Sequence, residues 1–191
     1  MPMRVTPVER LEAVIAAQRD VTACGLDLQR VMEVTTRCAR KLTSAAAAVV
    51  ELREGDDMVY RAVSGSAEGA IGTRLPLHAS FSGRAVLEDR IMHAPDTEQD
   101  PYVNQEAARR VGARSMICVP LRSDHEAVGV LKVYSPQVAF FRPEDIGTLE
   151  LMAGLISTAT ANAVAQDALL ASEQRFRAVT EAAFDSIITA D

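Results

Sequence analysis

Residues 112–135 read GARSMICVPLRSDHEAVGVLKVYS, and this stretch decides how the rest of the chain is understood. Two runs rich in apolar and β-branched residues, SMICVPLR and AVGVLKVYS, flank the polar SDHE, the pattern of two antiparallel strands joined by a turn. Gly129 inside the second run marks a close backbone approach or a bulge. Pro120 in the first is expected to end pairing there, so that the chain can leave the sheet.

Working upstream, AAAAVVELR (45–53) and MVYRAVSG (58–65) form a second pair across a four- to five-residue polar connection. Alternation puts Met58, Tyr60 and Ala62 on one side of that strand and Val59, Arg61 and Val63 on the other. RLPLH (74–78) reads as an edge strand and IMHAP (91–95) as a buried one. Between them SGRAVLED, capped by Ser80 or Ser82, gives a short helix, and NQEAARRV (104–111) gives another that ends at Gly112. Asp96 is expected to form a turn.

Helices flank the strands. PVERLEAVIAAQRDVT (7–22) carries Val8, Leu11, Ile15 and Val21 at helical spacing, and Gly25 breaks it. Asp27 caps a second helix with the stripe Leu28, Val31, Met32, Thr35, Cys38, Ala39 and Leu42. A last helix opens at Pro143, with Glu144 and Asp145 in its first turn. From there to about Phe184 no further proline occurs, and no glycine follows Gly154. At ~1.5 Å per residue the helix would run ~60 Å. The element order predicts an α+β fold: an antiparallel sheet with helices gathered on one side.

Composition narrows the class of protein. The chain has 191 residues, 48% of them hydrophobic, with 20 basic against 26 acidic side chains, which is ordinary globular composition. The net charge of −6 arises entirely after residue 142. Without a basic face, neither nucleic acid nor an anionic membrane is an expected partner. The start, MPMRVTPVER, lacks the apolar stretch of a secretory signal, and no apolar run approaches a membrane span. Three widely spaced cysteines, Cys24, Cys38 and Cys118, suit reduced thiols in a cytoplasmic protein.

The order of elements and several local words together resemble a GAF domain, a small-molecule-sensing and dimerising module of signalling proteins. The words are Phe81-Ser82-Gly83-Arg84-Ala85, Ile91 through Asp96, Asp100-Pro101-Tyr102, Gly112 through Leu121, Gly129 through Val133 and Phe141 through Asp145. The likeness covers about residues 27–165. The stretch 172–191, with Ser172-Glu173-Gln174-Arg175-Phe176-Arg177 and Ile187-Ile188, resembles the start of a PAS domain. The expected organisation is a dimerisation helix over 1–26, a GAF sensor over 27–165, and a signalling helix with a truncated PAS start over 166–191.

The resemblance implies a ligand cavity between one sheet face and the middle segment, about residues 74–116. Arg74, His78, Phe81, Ser82, His93, Asp96, Tyr102 and Arg109 fall in that window, and Met116 and Cys118 would face it from the strand. Arg84 and Arg110 are further candidates for phosphate. His93, in an apolar run, suits a hydrogen-bonded core residue better than a haem or metal ligand, because no second histidine or cysteine lies at ligand spacing. Light-sensing GAF domains attach a bilin through a cysteine at about 96–111; none is present, so no covalent bilin is expected. Cyclic-nucleotide GAF domains carry an Asn-Lys pair, a phenylalanine and an Asp-Glu pair. Here Ser135-Pro136 replaces the first pair, and the acidic pair after Phe141 is reversed as Glu144-Asp145. GAF-type reductases of free methionine sulfoxide use cysteines near the pocket, but Cys118 alone cannot both attack and resolve. No catalytic motif is present, and the cofactor, if any, is left open.

A 3-4 alternation of Leu149, Met152, Ile156, Ala159 and Ala163 in the last helix suggests a seam shared with a second copy. Leu11 and Ile15 of the first helix would complete the bundle. The sequence therefore points to a non-enzymatic homodimeric sensor that couples a small-molecule, redox or pH cue to a downstream PAS and output domain. A ligand-free structural dimerisation module is the alternative from another class, followed by a cyclic-nucleotide receptor and the reductase.

Overall fold

The computed structural model describes residues 7–123 and 126–162. Helix α1 (Pro7–Ala23) leads into α2 (Leu28–Thr43), whose start is fixed by Asp27: its carboxylate accepts a hydrogen bond from the Arg30 backbone N–H at 3.0 Å. Every residue of the expected α2 stripe turns inward, with Val31, Thr35 and Ala39 fully buried.

Six strands follow: β1 (Ala47–Glu54), β2 (Asp57–Gly65), β3 (Arg74–Pro76), β4 (Met92–Ala94), β5 (Ser115–Ser123) and β6 (Glu126–Ser135). They form one antiparallel sheet in the order β3-β2-β1-β6-β5-β4. Short helices α3 (Phe81–Leu87) and α4 (Gln105–Arg110) lie between strands, and α5 occupies 143–162. Ser80 rather than Ser82 caps α3, accepting from the Gly83 N–H at 3.0 Å. The turn between β1 and β2 is shorter than expected: Glu54 pairs with Asp57, and Gly55, at φ +61°, supplies the tight reversal.

The sheet has two apolar faces, and this alters the expected layering. Helices α1, α2 and α5 gather on one face over Val50, Ile117, Val119, Leu131 and Val133. The other face is covered by α3, α4 and the 3-10 turn Leu77–Ala79, over Val49, Met58, Met116 and Cys118. Helices thus cover both sides, the long ones on one side only.

A bulge in β2 overturns the expected alternation there. Between Val50 and Glu51 the partner jumps from Ala62 to Tyr60, leaving Arg61 unmatched. Met58 and Tyr60 therefore face the short helices while Ala62 joins the long-helix core. Gly129 shows both expected features. A Cβ there would collide with the Glu51 carbonyl, and the β5–β6 register shifts beside it, between Leu121 and Arg122. Pro120 does not end its strand. β5 continues to Ser123 because β4 pairs only with Met116 to Cys118, so no strand lies beside Pro120 on that side to need its missing N–H.

Asp145 closes the start of α5 by accepting from the Arg142 N–H at 2.9 Å, and further along Ser157 Oγ ties the helix to β5 by accepting from the Arg122 N–H at 3.0 Å. The expected intermolecular seam is spent on this chain's own core: Leu149, Met152 and Ile156 are at most 2% exposed. They pack on the sheet because α5 covers it, and each such side chain contributes about 1.5–3 kcal/mol. Ala159 is partly buried beside the same core, and Ala163 lies outside the described residues. On α1 the inward residues are Ala17 and Val21, whereas Val8, Leu11 and Ile15 are exposed.

Ile156→Ala is therefore expected to lower the stability of the single chain by about 2–5 kcal/mol. Urea unfolding measures this, and a loss that depends on protein concentration would return Ile156 to an intermolecular seam.

Candidate functional site

The interior under α3 holds a polar cluster within apolar walls. Glu51 of β1 and Lys132 of β6 point to the same face, on neighbouring strands, and form a buried ion pair. Val49 is the cross-strand partner of Lys132 and Val130 that of Glu51, so the charges meet diagonally. The β2 bulge carries Tyr60 opposite Glu51, and Lys132 Nζ donates to the Tyr60 hydroxyl at 2.9 Å. Ser82 arrives from the first turn of α3: its hydroxyl donates to Glu51 Oε1 at 2.8 Å and accepts from Lys132 Nζ at 3.4 Å. Cys118 of β5 closes the group, 3.9 Å from Ser82 Oγ.

Close approach of α3 depends on Gly83, because a Cβ there would run into the Leu77 carbonyl of the preceding turn. Leu77, Met58 and Phe81 fill the surrounding space, and all of the cluster residues are at most 6% exposed. The site is a closed interior.

Its electrostatics follow from that closure. Burial works against the charge on Lys132, but the Glu51 carboxylate, with Tyr60 and Cys118 adding, holds the ammonium protonated above the ordinary lysine range. Burial raises the Tyr60 phenol, partly offset by Lys132. Burial pushes the Cys118 thiol up to about 12, with Lys132 opposing and Glu51 adding to the shift. Lys132 therefore cannot act as a base toward Ser82, and Cys118 is not a thiolate at neutral pH. Cys24 and Cys38 pack against the long-helix core, across the sheet, so no described thiol stands ready to resolve an oxidised Cys118. The arrangement can hold and exchange hydrogen-bonded and charged partners. One acceptor is unused: the buried Glu51 Oε2 has no hydrogen-bond partner.

Four of the residues expected from the sequence meet here or line this core: Phe81, Ser82, Met116 and Cys118. The others lie elsewhere. Arg74 is on the edge strand, 2.9 Å from Asp57 and 3.4 Å from Glu54, at the far end of the β1–β2 hairpin. His78 is exposed on the 3-10 turn. His93 pairs with Ile117, which places it on the long-helix face; burial lowers its pKa, and its Nε2 has no partner.

Asp96, Tyr102 and Arg109 fasten the outer loop. Asp96 accepts from the Glu98 N–H at 3.1 Å and pairs with Arg114 at 3.0 Å, and these contacts, the backbone one foremost, lower its pKa. Arg109 Nε donates to Glu98 Oε1 at 2.8 Å. Tyr102 lies beneath the Arg84 guanidinium, 3.5 Å from the ring centre, so Arg84 is engaged as well. Arg110 is exposed on α4. Among the described residues no group of three or more His, Cys, Asp or Glu side chains could hold a metal ion, and no helix is long and apolar enough to cross a membrane.

Sequence reasoning passed over Glu51, Lys132 and Tyr60. The available signal was one acid in AVVEL and one base in VLKVY, each alone inside a strongly apolar strand.

An antiparallel sheet with three long helices on one face and short helices closing the other defines an α+β module. The GAF domain family matches residues 25–161, and the chain belongs to that family. Solved structures with this fold include the free methionine-R-sulfoxide reductase of Neisseria meningitidis in complex with its substrate (22% identity, TM-score 0.72, 84% of this chain and 92% of that one). The GAF domain of a phosphoenolpyruvate-protein phosphotransferase from Coxiella burnetii is 16% identical, with a TM-score of 0.74 over 83% of this chain and 96% of that one. The blue-light absorbing form of the Thermosynechococcus elongatus PixJ GAF domain is 18% identical, with a TM-score of 0.68 over 78% and 94%. At these identities the likeness is one of fold. Comparison with curated proteins gives no match.

Removing one charge leaves the other buried and unpaired, so Lys132→Met is expected to cost about 3–5 kcal/mol, and the double variant Glu51→Leu with Lys132→Met to recover most of it. Urea midpoints of the wild type, Lys132→Met, Glu51→Leu and the double variant test the coupling; additive losses would show that the charges act independently. The pH dependence has a defined sign. Folded Lys132 and Cys118 both bind protons more tightly than the unfolded chain does, so their stabilisation is complete at low pH. It falls as pH rises above about 8.5 for the thiol and about 10.4 for the amine. In Cys118→Ser the alkaline decline should begin nearer the lysine value, and an unchanged profile would remove the thiol from the account.

Proposed function

We propose that this chain is the sensory part of a cytoplasmic signalling protein, without catalytic activity of its own. A small polar molecule, or a redox or pH change, acts on the cluster under α3, and α5 passes the change to a downstream PAS and output domain within a homodimer. The observation that carries this reading is the unpartnered Glu51 Oε2, buried beside Lys132 and Ser82. A ligand that donates a hydrogen bond or an ammonium to that oxygen satisfies it. In doing so it competes for the Ser82 hydroxyl and so for the seating of α3. Signalling then requires that the ligand favour one seating over the other. The PAS-like stretch 172–191 lies outside the described residues.

One observation favours a second reading, a ligand-free structural module: the interior is closed, with Leu77 and Cys118 fully buried at its centre. Thermal-shift measurements against free amino acids, amines and nucleotides, with native mass spectrometry of the purified chain, separate the two. Sensing predicts a bound mass or a rise in Tm that disappears in Ser82→Ala; a ligand at 100 times its Kd stabilises by about 2.7 kcal/mol. No mass and no shift across the set would favour the structural module. The buried cation Lys132 is already neutralised by Glu51, which weighs against a cyclic-nucleotide phosphate, and the protonated Cys118 weighs against a reductase.

Support for dimerisation comes from the apolar surface that the fold leaves outside: Leu11 and Ile15 on α1 and Leu151 on α5 are exposed. An open groove of about 890 Å³ between α1 and α5, lined by Ile15, Val21, Leu155 and Ala159 among others, receives the second copy in this proposal. Leu11→Glu should halve the mass measured by light scattering while leaving the circular dichroism unchanged. A wild-type protein that is already monomeric at tens of micromolar, or a variant that stays dimeric, would end this part of the proposal.

A further inference from the structure

Arg122 is bonded to both layers of the fold. Its strand partner Ala127 packs on the short-helix side, so the Arg122 side chain leaves β5 toward α3, while the neighbouring Leu121 faces the long helices. The guanidinium reaches Asp89, just past the end of α3. Nε donates to Oδ1 at 2.9 Å and to Oδ2 at 3.2 Å, and Nη2 donates to the Asp89 carbonyl at 3.3 Å. The backbone N–H of the same residue donates to Ser157 Oγ at 3.0 Å. One residue thus joins the end of α3, the helix that carries Ser82, to the long helix on the other side of the sheet.

Asp89 stands where the backbone asks for glycine. Helix α3 ends with the Arg90 N–H on the Ala85 carbonyl and the Asp89 N–H on the Val86 carbonyl, each at 3.2 Å. This double closure puts the residue after the cap in the left-handed region, and Asp89 has φ +43°. Glycine fills that position most often, because a Cβ is unfavourable there. Aspartate accepts the conformation less readily, but it brings a carboxylate to Arg122. The pair adds little to stability, since Arg122 is 52% and Asp89 46% exposed. Its value is geometric: a guanidinium held by both the carboxylate and the carbonyl is fixed in direction as well as in contact.

We propose that Asp89 and Arg122 form the relay through which the seating of α3 reaches α5. The proposal rests on the reading of the cluster under α3 as the sensory site, and it supplies the route out of that site. Helix α3 has only seven residues, about two turns, so its two ends move together. When Ser82 releases Glu51 at one end, Asp89 moves at the other, Arg122 follows it, and the Arg122 N–H carries the displacement to Ser157. Both are positioning residues, and neither touches the cluster itself.

Amide NMR of the full chain tests the relay without any ligand, because Ser82→Ala removes the hydroxyl that seats α3. In the otherwise wild-type chain this substitution is expected to shift the amides of Asp89, Arg122, Ser157 and Thr158 along with those of its own helix. With Asp89→Gly in place, Ser82→Ala should still shift Gly83 and Arg84 but no longer Ser157 or Thr158. Asp89→Gly should melt no lower than the wild type, since glycine suits the left-handed position, so the response is lost while the fold is kept. Arg122→Gln retains the backbone N–H and should give the same loss. Failure to find a ligand for the cluster would count against the sensory reading and leave the relay standing. A Ser157 response that survives both variants would overturn the relay, and so would a Ser82→Ala spectrum unchanged at Asp89, Arg122 and Ser157.

Discussion

Two opposite charges on neighbouring strands, shut away from water, set the terms for one whole side of this molecule. A buried ion pair costs several kcal/mol in desolvation for each ion and is tolerable only when its geometry is good and its remaining groups are bonded. Glu51 and Lys132 meet the first condition, with Glu51 Oε2 the one group left unbonded, and they do so only if β1 and β6 are in the observed register, since a slip of one residue would turn either charge into the long-helix core. The β2 bulge then has a reason: it brings Tyr60 within reach of Lys132. Gly83 has one too, since it lets α3 descend far enough for Ser82 to reach Glu51.

Much of the fold was readable in the amino-acid order because its strongest signals are local. The stripe of α2, the cap at Asp27 and the paired apolar runs around SDHE each specify an element without help from the rest. Errors came where tertiary structure overrides a local rule. Arg61 looks like any outward strand residue, yet it absorbs a bulge and moves Ala62 to the other face. The alternation of Leu149, Met152 and Ile156 is the same for a helix packing on a sheet as for one packing on a twin, so spacing could not separate the two.

The site was less legible, for a similar reason. Phe81, Ser82, Met116 and Cys118 were found because the family resemblance pointed to their segment, and all four lie on the face that the short helices close. Polar residues in the middle segment looked like pocket groups, but Asp96 bonds to Arg114 and to the Glu98 N–H, and Arg109 bonds to the Glu98 carboxylate, across the outer loop. The groups that matter electrostatically lay in strands already read as core. A lone charge inside an apolar strand is more informative than a charge in a loop, because burying it without a partner is so costly. Reading the two strands together would have paired Glu51 with Lys132 before any coordinates.

The bond from the Arg122 N–H to Ser157 Oγ restricts what α5 can do, because it falls beside Ile156, the last of three side chains seated on the sheet. A lengthwise slide of the helix would break that bond and lift Leu149, Met152 and Ile156 from their places together, so the polar tie and the apolar contacts resist the same displacement.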